Sequence, residues 1–149
     1  MAGQVYEVVT CFLVHRRPDG DRVLLLRRSG RVSTYQGRWA GVSGYLEAAD
    51  PLEQAYTELA EEAGLGRDQV RLLAACGVLD LYDPDLDRRW RVHLFMFEVS
   101  DPGLVRTDWE HTEARWVQPE EVARYETVPG LAEGLRRCYE AASGSGRET

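Results

Sequence analysis

The chain has 149 residues, enough for one domain with a full core, and its 44% hydrophobic content is close to that of ordinary soluble proteins. Its 25 acidic and 18 basic residues leave a net charge of −7, which speaks against a surface that neutralises nucleic-acid phosphates. No apolar run reaches membrane-spanning length and the N-terminus lacks a secretory pattern. The three cysteines, Cys11, Cys76 and Cys138, are too sparse and scattered for a metal site. They read as reduced thiols in a cytoplasmic protein, Cys11 and Cys76 as small core residues and Cys138 as helix packing.

Tyr6 to His15 is rich in Val, Thr, Phe and Tyr and predicts a strand. Pro18-Asp19-Gly20 is a turn signal, and Val23 to Leu26 is a second strand, so the two form a hairpin. Arg27 to Arg38 is polar and contains Gly, and reads as a loop; Trp39 to Leu46 is a short strand entering a tight turn. Asp50 is an N-cap, Pro51 fits the first helical position, and Glu53 completes a capping box. In that helix Leu52, Ala55, Leu59 and Ala63 line one side, and Gly64 ends it.

Val70 to Leu81 predicts one or two strands, Trp90 to Val99 another, and Ala114 to Val117 a short one. Pro119-Glu120-Glu121 opens a short helix, and a last helix spans roughly Gly130 to Ala142. No repeat or linker divides the chain, so residues 1–142 are expected as one domain and 143–149 as a disordered tail. Strands, one helix, more strands and C-terminal helices predict an α/β fold with a mixed β-sheet covered by helices.

The most informative stretch is Glu58 to Leu65. Glu58, Glu61 and Glu62 stand at i, i+3 and i+4 and therefore share one helix face. A solvated acidic face is the ordinary explanation for such a run. Three acids this close repel one another unless a cation lies between them, and an oxygen-only cluster suits a hard divalent metal, Mg²⁺ above all. Such a metal lets an acidic site accept an anionic phosphate substrate.

From Trp39 to Leu65 the chain resembles the Nudix hydrolases. Their signature reads Gly, five residues, Glu, seven residues, Arg-Glu, apolar, any, Glu-Glu, any, Gly, apolar. Gly44, Glu58, Leu59, Glu61, Glu62, Gly64 and Leu65 fit it. Trp109 to Val117, followed by Pro119-Glu120-Glu121, is similar to the family's approach to its C-terminal helices. Two departures stand out. Gly44 and Glu58 are one residue closer than the pattern requires, so the first box Glu falls on Asp50 or Ala49. Thr57 stands where the family has an Arg expected to hold the catalytic Glu by charge pairing; Arg28 or Arg38 are candidate replacements.

The resemblance implies a Nudix-like α/β/α sandwich, with the mixed β-sheet between helices. It implies a pyrophosphohydrolase cleaving a diphosphate linkage in a nucleoside diphosphate derivative or nucleoside triphosphate, with Mg²⁺, or Mn²⁺, on Glu58, Glu61 and Glu62. The partner is then a small phosphorylated molecule, with neither nucleic acid nor membrane involved, and a homodimer is allowed. Glu58, Glu61 and Glu110 are the candidate catalytic acids, with Glu110 offering a general base from a loop outside the box. Arg28, Arg38, Trp39 and Gly44 are the candidate substrate-binding residues. Arg27 and Arg28 are adjacent on a strand, so at most one reaches a common cleft. Tyr35, Trp39, Tyr82 and Trp90 are candidates for stacking on a base, against core or rim packing. His111 reads as a structural histidine or a substrate-orienting one. Two other readings remain: a nucleotide-binding module whose catalysis has decayed, and an isopentenyl-diphosphate-isomerase-like enzyme, which needs a Cys and Glu in the cleft.

Overall fold

A computed structural model describes residues 4–146. In chain order the elements are β1 (Gln4–His15), β2 (Arg22–Arg28), β3 (Trp39–Ala40), β4 (Val42–Tyr45), α1 (Pro51–Ala63), β5 (Val70–Asp83), β6 (Arg88–Val99), β7 (His111–Val117) and α2 (Leu131–Gly146). Short 3₁₀ turns occupy Arg67–Gln69, Pro102–Leu104 and Pro119–Arg124. The segment after Pro119 is therefore a 3₁₀ turn where a short helix was expected.

The strands form one mixed sheet in the order β3-β2-β1-β6-β5, with β4 added on β1 and β7 on β2. β1 runs parallel to β6 from Gln4↔Arg88 to Val14↔Glu98. Its other edge is shared between two partners. Val14 and His15 pair with Val23 and Arg22 of β2, whereas Val8 to Cys11 pair with Tyr45 to Val42 of β4. The sheet thus forks along β1, with β2 leaving on one arm and β4 on the other.

Strand alternation sends β1 side chains into two cores. Val9, Cys11 and Leu13 pack with Ala55, Leu59 and Ala63 of α1. Phe12 and Val14 pack with Leu131, Leu135 and Cys138 of α2. The expected three-layer α/β/α arrangement is present. Each fully buried Leu or Phe contributes roughly 1.5–3 kcal/mol relative to an exposed one, so both helices are fixed mainly by these faces.

The start of α1 follows the sequence only in part. Asp50 caps it, its Oδ1 accepting from the Leu52 N–H at 3.0 Å, and Pro51 is the first helical residue. Glu53 does not close a capping box; it pairs with Arg67 on the following 3₁₀ turn. Gly64 ends the helix at φ 68°, a left-handed conformation that glycine adopts without steric cost.

The long strand β5 is bulged, its register with β6 shifting between Ala75 and Val78. There Cys76 forms a disulfide with Cys138 of α2, with Cα atoms 5.0 Å apart. This corrects the expectation of reduced thiols at those positions. The 62-residue separation leaves no local trace of the pairing. Among the described residues Cys11 alone is a free cysteine, and it is buried. The α2 helix continues to Gly146, past the expected end at Ala142. Of the expected tail, 143–146 are helical and 147–149 lie outside the described residues. No helix among the described residues is long and apolar enough to cross a membrane.

Candidate active site

The fork in the sheet opens into a cleft of about 550 Å³. Thr10 of β1, Ser43 and Gly44 of β4, and Arg28 at the end of β2 line it, and α1 supplies the acidic wall with Glu58, Glu61 and Glu62. The spacing that marked these three in the sequence gives them unequal surroundings. Glu58 and Glu62 are only 8% and 3% exposed, while Glu61 is solvent-exposed. A solvated face is therefore excluded for the first two.

Burial pushes the Glu62 carboxyl far above the usual carboxylate range, and the adjoining Glu58 carboxylate pushes it further in the same direction. Both effects favour the protonated form of Glu62 when no cation is near. Burial also raises Glu110, followed by the charges of Asp108 and Glu58, with Arg28 opposing. Two of the clustered acids are thus pushed toward the neutral form by burial and by neighbouring carboxylates. That is the behaviour of a site short of positive charge.

Glu58 is gripped from two sides. Gln54, one turn earlier and 4% exposed, donates from Nε2 to Glu58 Oε1 at 3.0 Å. Gly44 lies against the same carboxylate, and a Cβ at that position would collide with it. The obstructed atoms are the end of a flexible side chain, so the fold can absorb the clash while the carboxylate cannot stay in place. Gly44→Ala is therefore expected to lower turnover at least tenfold while shifting the melting temperature by only a few degrees, on the scale of one overpacked group. Parallel kinetics and melting curves check this; unchanged kcat would show that the position of Glu58 does not matter.

Arg28 reaches the cleft from a half-buried position. Its Nε donates to Thr34 O at 2.9 Å, and Glu62 and Glu110 are the acids acting most strongly on it. A register shift between Arg27 and Arg28 in the β2–β7 pairing separates the two neighbours. Arg27 instead pairs with Glu113 at 3.0 Å. Glu110 lines the cleft from the loop before β7. That loop is held in place because Ser29 N–H donates to Glu110 O at 2.7 Å.

His111 is buried, with Nε2 3.6 Å from Glu62 Oε1 and Nδ1 3.6 Å from Asp108 Oδ1. Burial lowers its pKa, favouring a neutral ring. Its Nδ1 has no hydrogen-bond partner among the described residues.

Phe12, Leu79, Leu81, Val92 and Leu94 give the cleft an apolar floor, with Trp90 beside them. The Trp90 indole N–H donates to the Tyr35 hydroxyl at 3.0 Å, and that hydroxyl donates to Asp83 at 2.6 Å. This chain joins the loop 29–38 to the β5–β6 hairpin across the cleft. Tyr45 and Trp109 stand at the rim, both exposed.

Not every residue singled out by sequence is here. Trp39 is buried in the α2-side core and stacks edge-on with Tyr125. Arg38 donates to Thr127 O at 3.3 Å and lies over the Tyr35 ring; neither Arg38 nor Trp39 is among the cleft-lining residues. Tyr82 is exposed and bonded to Asp87. Glu47 lines the cleft from an exposed position, and Asp50 is occupied as the helix cap. Gln54 carried no signal, because one uncharged polar residue in a first helical turn is commonplace. For His111, weighed from sequence as a structural or substrate-orienting residue, burial beside Glu62 and Asp108 is what the structure adds.

Among the described residues no three His, Cys, Asp or Glu side chains surround a common point as they stand. The donor chemistry nonetheless fits a hard cation: carboxylate oxygens only, two of them buried, with one half-buried Arg as the nearest compensation.

Comparison with known proteins agrees with this architecture. The NUDIX domain pattern matches residues 7–138, and the chain belongs to the Nudix family. A Mycobacterium tuberculosis protein provisionally named 8-oxo-dGTP diphosphatase 3 is 32% identical over 129 residues, covering 84% of this chain and 58% of its own length. The chain thus spans less than two thirds of that curated relative. Among solved structures, a Caenorhabditis elegans Ap4A hydrolase binary complex superposes with a TM-score of 0.77 at 18% identity, covering 93% of this chain and 98% of the other. The Nudix domain of Shewanella oneidensis NrtR, solved with ADP-ribose, gives 0.73 at 13% identity, covering 92% and 88%. At these identities the structures speak for the fold.

Proposed function

We propose that the protein is a metal-dependent pyrophosphohydrolase cleaving a diphosphate linkage in a nucleoside triphosphate or nucleoside diphosphate derivative. The observation that carries this reading is the buried Glu58–Glu62 pair, with Glu62 pushed toward protonation, facing a cleft that also holds Arg28 and Glu110. Buried acids without cationic partners are costly, and a protein that keeps two of them beside an open cleft has a use for a cation there.

Glu58 and Glu62, with Glu61 beside them, are the residues that would hold Mg²⁺ or Mn²⁺. Such an ion, when bound, offsets the charge of the diphosphate and lowers the pKa of a bound water. Arg28 binds a phosphate oxygen through its guanidinium. Glu110 accepts the proton of the attacking water, a task that its raised pKa suits. One P–O bond forms to that water, the bridging P–O bond breaks, and two phosphorylated fragments leave. The apolar floor and Trp90 accept the organic part of the substrate.

An isomerase reading lacks a thiol in the cleft. Cys76 and Cys138 are joined, and Cys11 lies under α1 with its sulfur 3.9 Å from Ala55 O. The test is a screen of nucleoside triphosphates, dinucleoside polyphosphates, nucleotide sugars, NADH and ADP-ribose with Mg²⁺ and Mn²⁺, following phosphate or monophosphate release. Metal-dependent release from at least one compound is expected. Nucleotide binding without release from any of them would replace this reading with the binding module.

A further inference from the structure

We infer that Gln54 is the positioning residue for Glu58, taking over the task of the family's box Arg, and that the shortened Gly44–Glu58 loop is built around it. This rests on the hydrolase reading and concerns how that site is held together.

Four observations lead there. First, Thr57 does not touch Glu58; its hydroxyl donates back to Glu53 O at 3.1 Å, within the helix. Second, neither arginine that might replace a charged partner does so. Arg28 is held by Thr34, and Arg38 by Thr127. Third, the group that does meet Glu58 is the Gln54 amide, at 3.0 Å. Fourth, the other end of that amide is occupied. Its Oε1 accepts from the backbone N–H groups of Glu47 and Ala48, at 2.9 and 2.8 Å.

Those two backbone donors remove the usual ambiguity of an amide side chain. Two N–H groups demand an acceptor, so the oxygen must face the loop and the NH₂ must face the carboxylate. The orientation is imposed by the main chain. The loop that is one residue short is also the loop that supplies these two N–H groups. The shortening and the missing Arg are therefore linked: the closer loop brings Glu47 and Ala48 onto Gln54, and Gln54 turns a donor toward Glu58. Gly44 lies against the same carboxylate. One oxygen of Glu58 is fixed by a neutral donor, and the carboxylate also meets the Glu62 carboxyl, where an ion would take the place of the shared proton. A guanidinium in the same place would set a positive charge beside that ion; the amide does not.

Two variants separate this from mere support of the loop. Gln54→Met removes both halves of the bridge at nearly constant size. Gln54→Glu keeps an oxygen for the two backbone N–H groups and, once ionised at the alkaline end of the assay range, replaces the donor to Glu58 with a repelling charge. Mn²⁺ uptake is read by electron paramagnetic resonance on folded protein, alongside melting curves and steady-state kinetics. Folded Gln54→Met is expected to bind Mn²⁺ at least about tenfold more weakly than wild type, as for other residues that orient metal ligands. Folded Gln54→Glu is expected to show kcat down at least about tenfold with KM within about twofold. Wild-type Mn²⁺ affinity in Gln54→Met, or kcat within twofold of wild type in Gln54→Glu, would overturn the assignment. If Gln54→Met does not fold, the Gln54→Glu kinetics decide alone. A wild-type protein that takes up no Mn²⁺ and releases no phosphate would remove the hydrolase reading and this one together; intact wild-type behaviour with unaffected variants removes only this one.

Discussion

Glu62→Gln should lower kcat by at least about a hundredfold, the upper end of the cost of losing a mere partner of a metal ligand, and yet stabilise the metal-free protein at alkaline pH. The two effects share one cause. The folded-state pKa of Glu62 is raised by burial and by Glu58, so between the ordinary carboxylate value of 4.5 and its raised value the folded chain binds a proton that the unfolded chain has lost. The contribution of this group to stability is complete below about pH 4.5 and declines as pH rises through the neutral range. Glutamine has the same shape and no such dependence.

In EDTA, melting temperatures of wild type should therefore fall from pH 5 to pH 8 more steeply than those of Glu62→Gln. Added Mg²⁺ should restore wild type, because the ion takes the place of the proton, and should do much less for the variant. Parallel melting profiles would mean that Glu62 is not the titrating group. Full activity in the variant would remove it from the ligand set.

Reducing the Cys76–Cys138 bond should cost about 4 kcal/mol, the chain-entropy value for a loop of this length. For a domain of this size that corresponds to a fall in Tm of roughly 8–16 °C. Melting with and without a thiol reductant measures it, and the Cys76→Ser/Cys138→Ser double variant should be insensitive to reductant. Counting thiols in the denatured, unreduced protein gives an independent check: one reactive thiol, from Cys11, supports the bond, and three refute it.

What could be read from the sequence was what local geometry determines. The cap at Asp50, Pro51 at the helix start, Gly64 at its end and the apolar stripe of Leu52, Ala55, Leu59 and Ala63 all depend on neighbours within a few residues. They fixed α1 and with it the acidic wall. Glu110 could be nominated but not placed, because its approach depends on Ser29 and on the loop whose Arg106 N–H donates to Ala63 O at 2.8 Å. Trp39 was nominated for substrate and went into the core, since an aromatic residue beside glycines has the same sequence context in either place. The disulfide was invisible because it joins residues 62 apart whose meeting is decided by the packing of whole elements. Gln54 and Glu58 stand one helical turn apart, so that contact was open to a sequence reading; the turn of the loop that brings the Glu47 and Ala48 N–H groups onto the amide was not. Thr57 looked like a loss when only the missing charge was considered; the neighbouring turn of helix holds the amide that meets Glu58.

The fork along β1 also has a consequence for how such a protein can change. The strand that floors the cleft is the one shared by both cores, so the ground beneath the substrate is as unyielding as the fold itself. Apart from Tyr45 at the end of β4, the rim comes from the segments around Tyr35, Trp109 and Pro129, none of them part of a strand or an α-helix. Exchange of those rims can redirect appetite from one organic group to another while the acid wall is inherited untouched. Reaction and diet are then separate legacies, carried by different parts of one small chain.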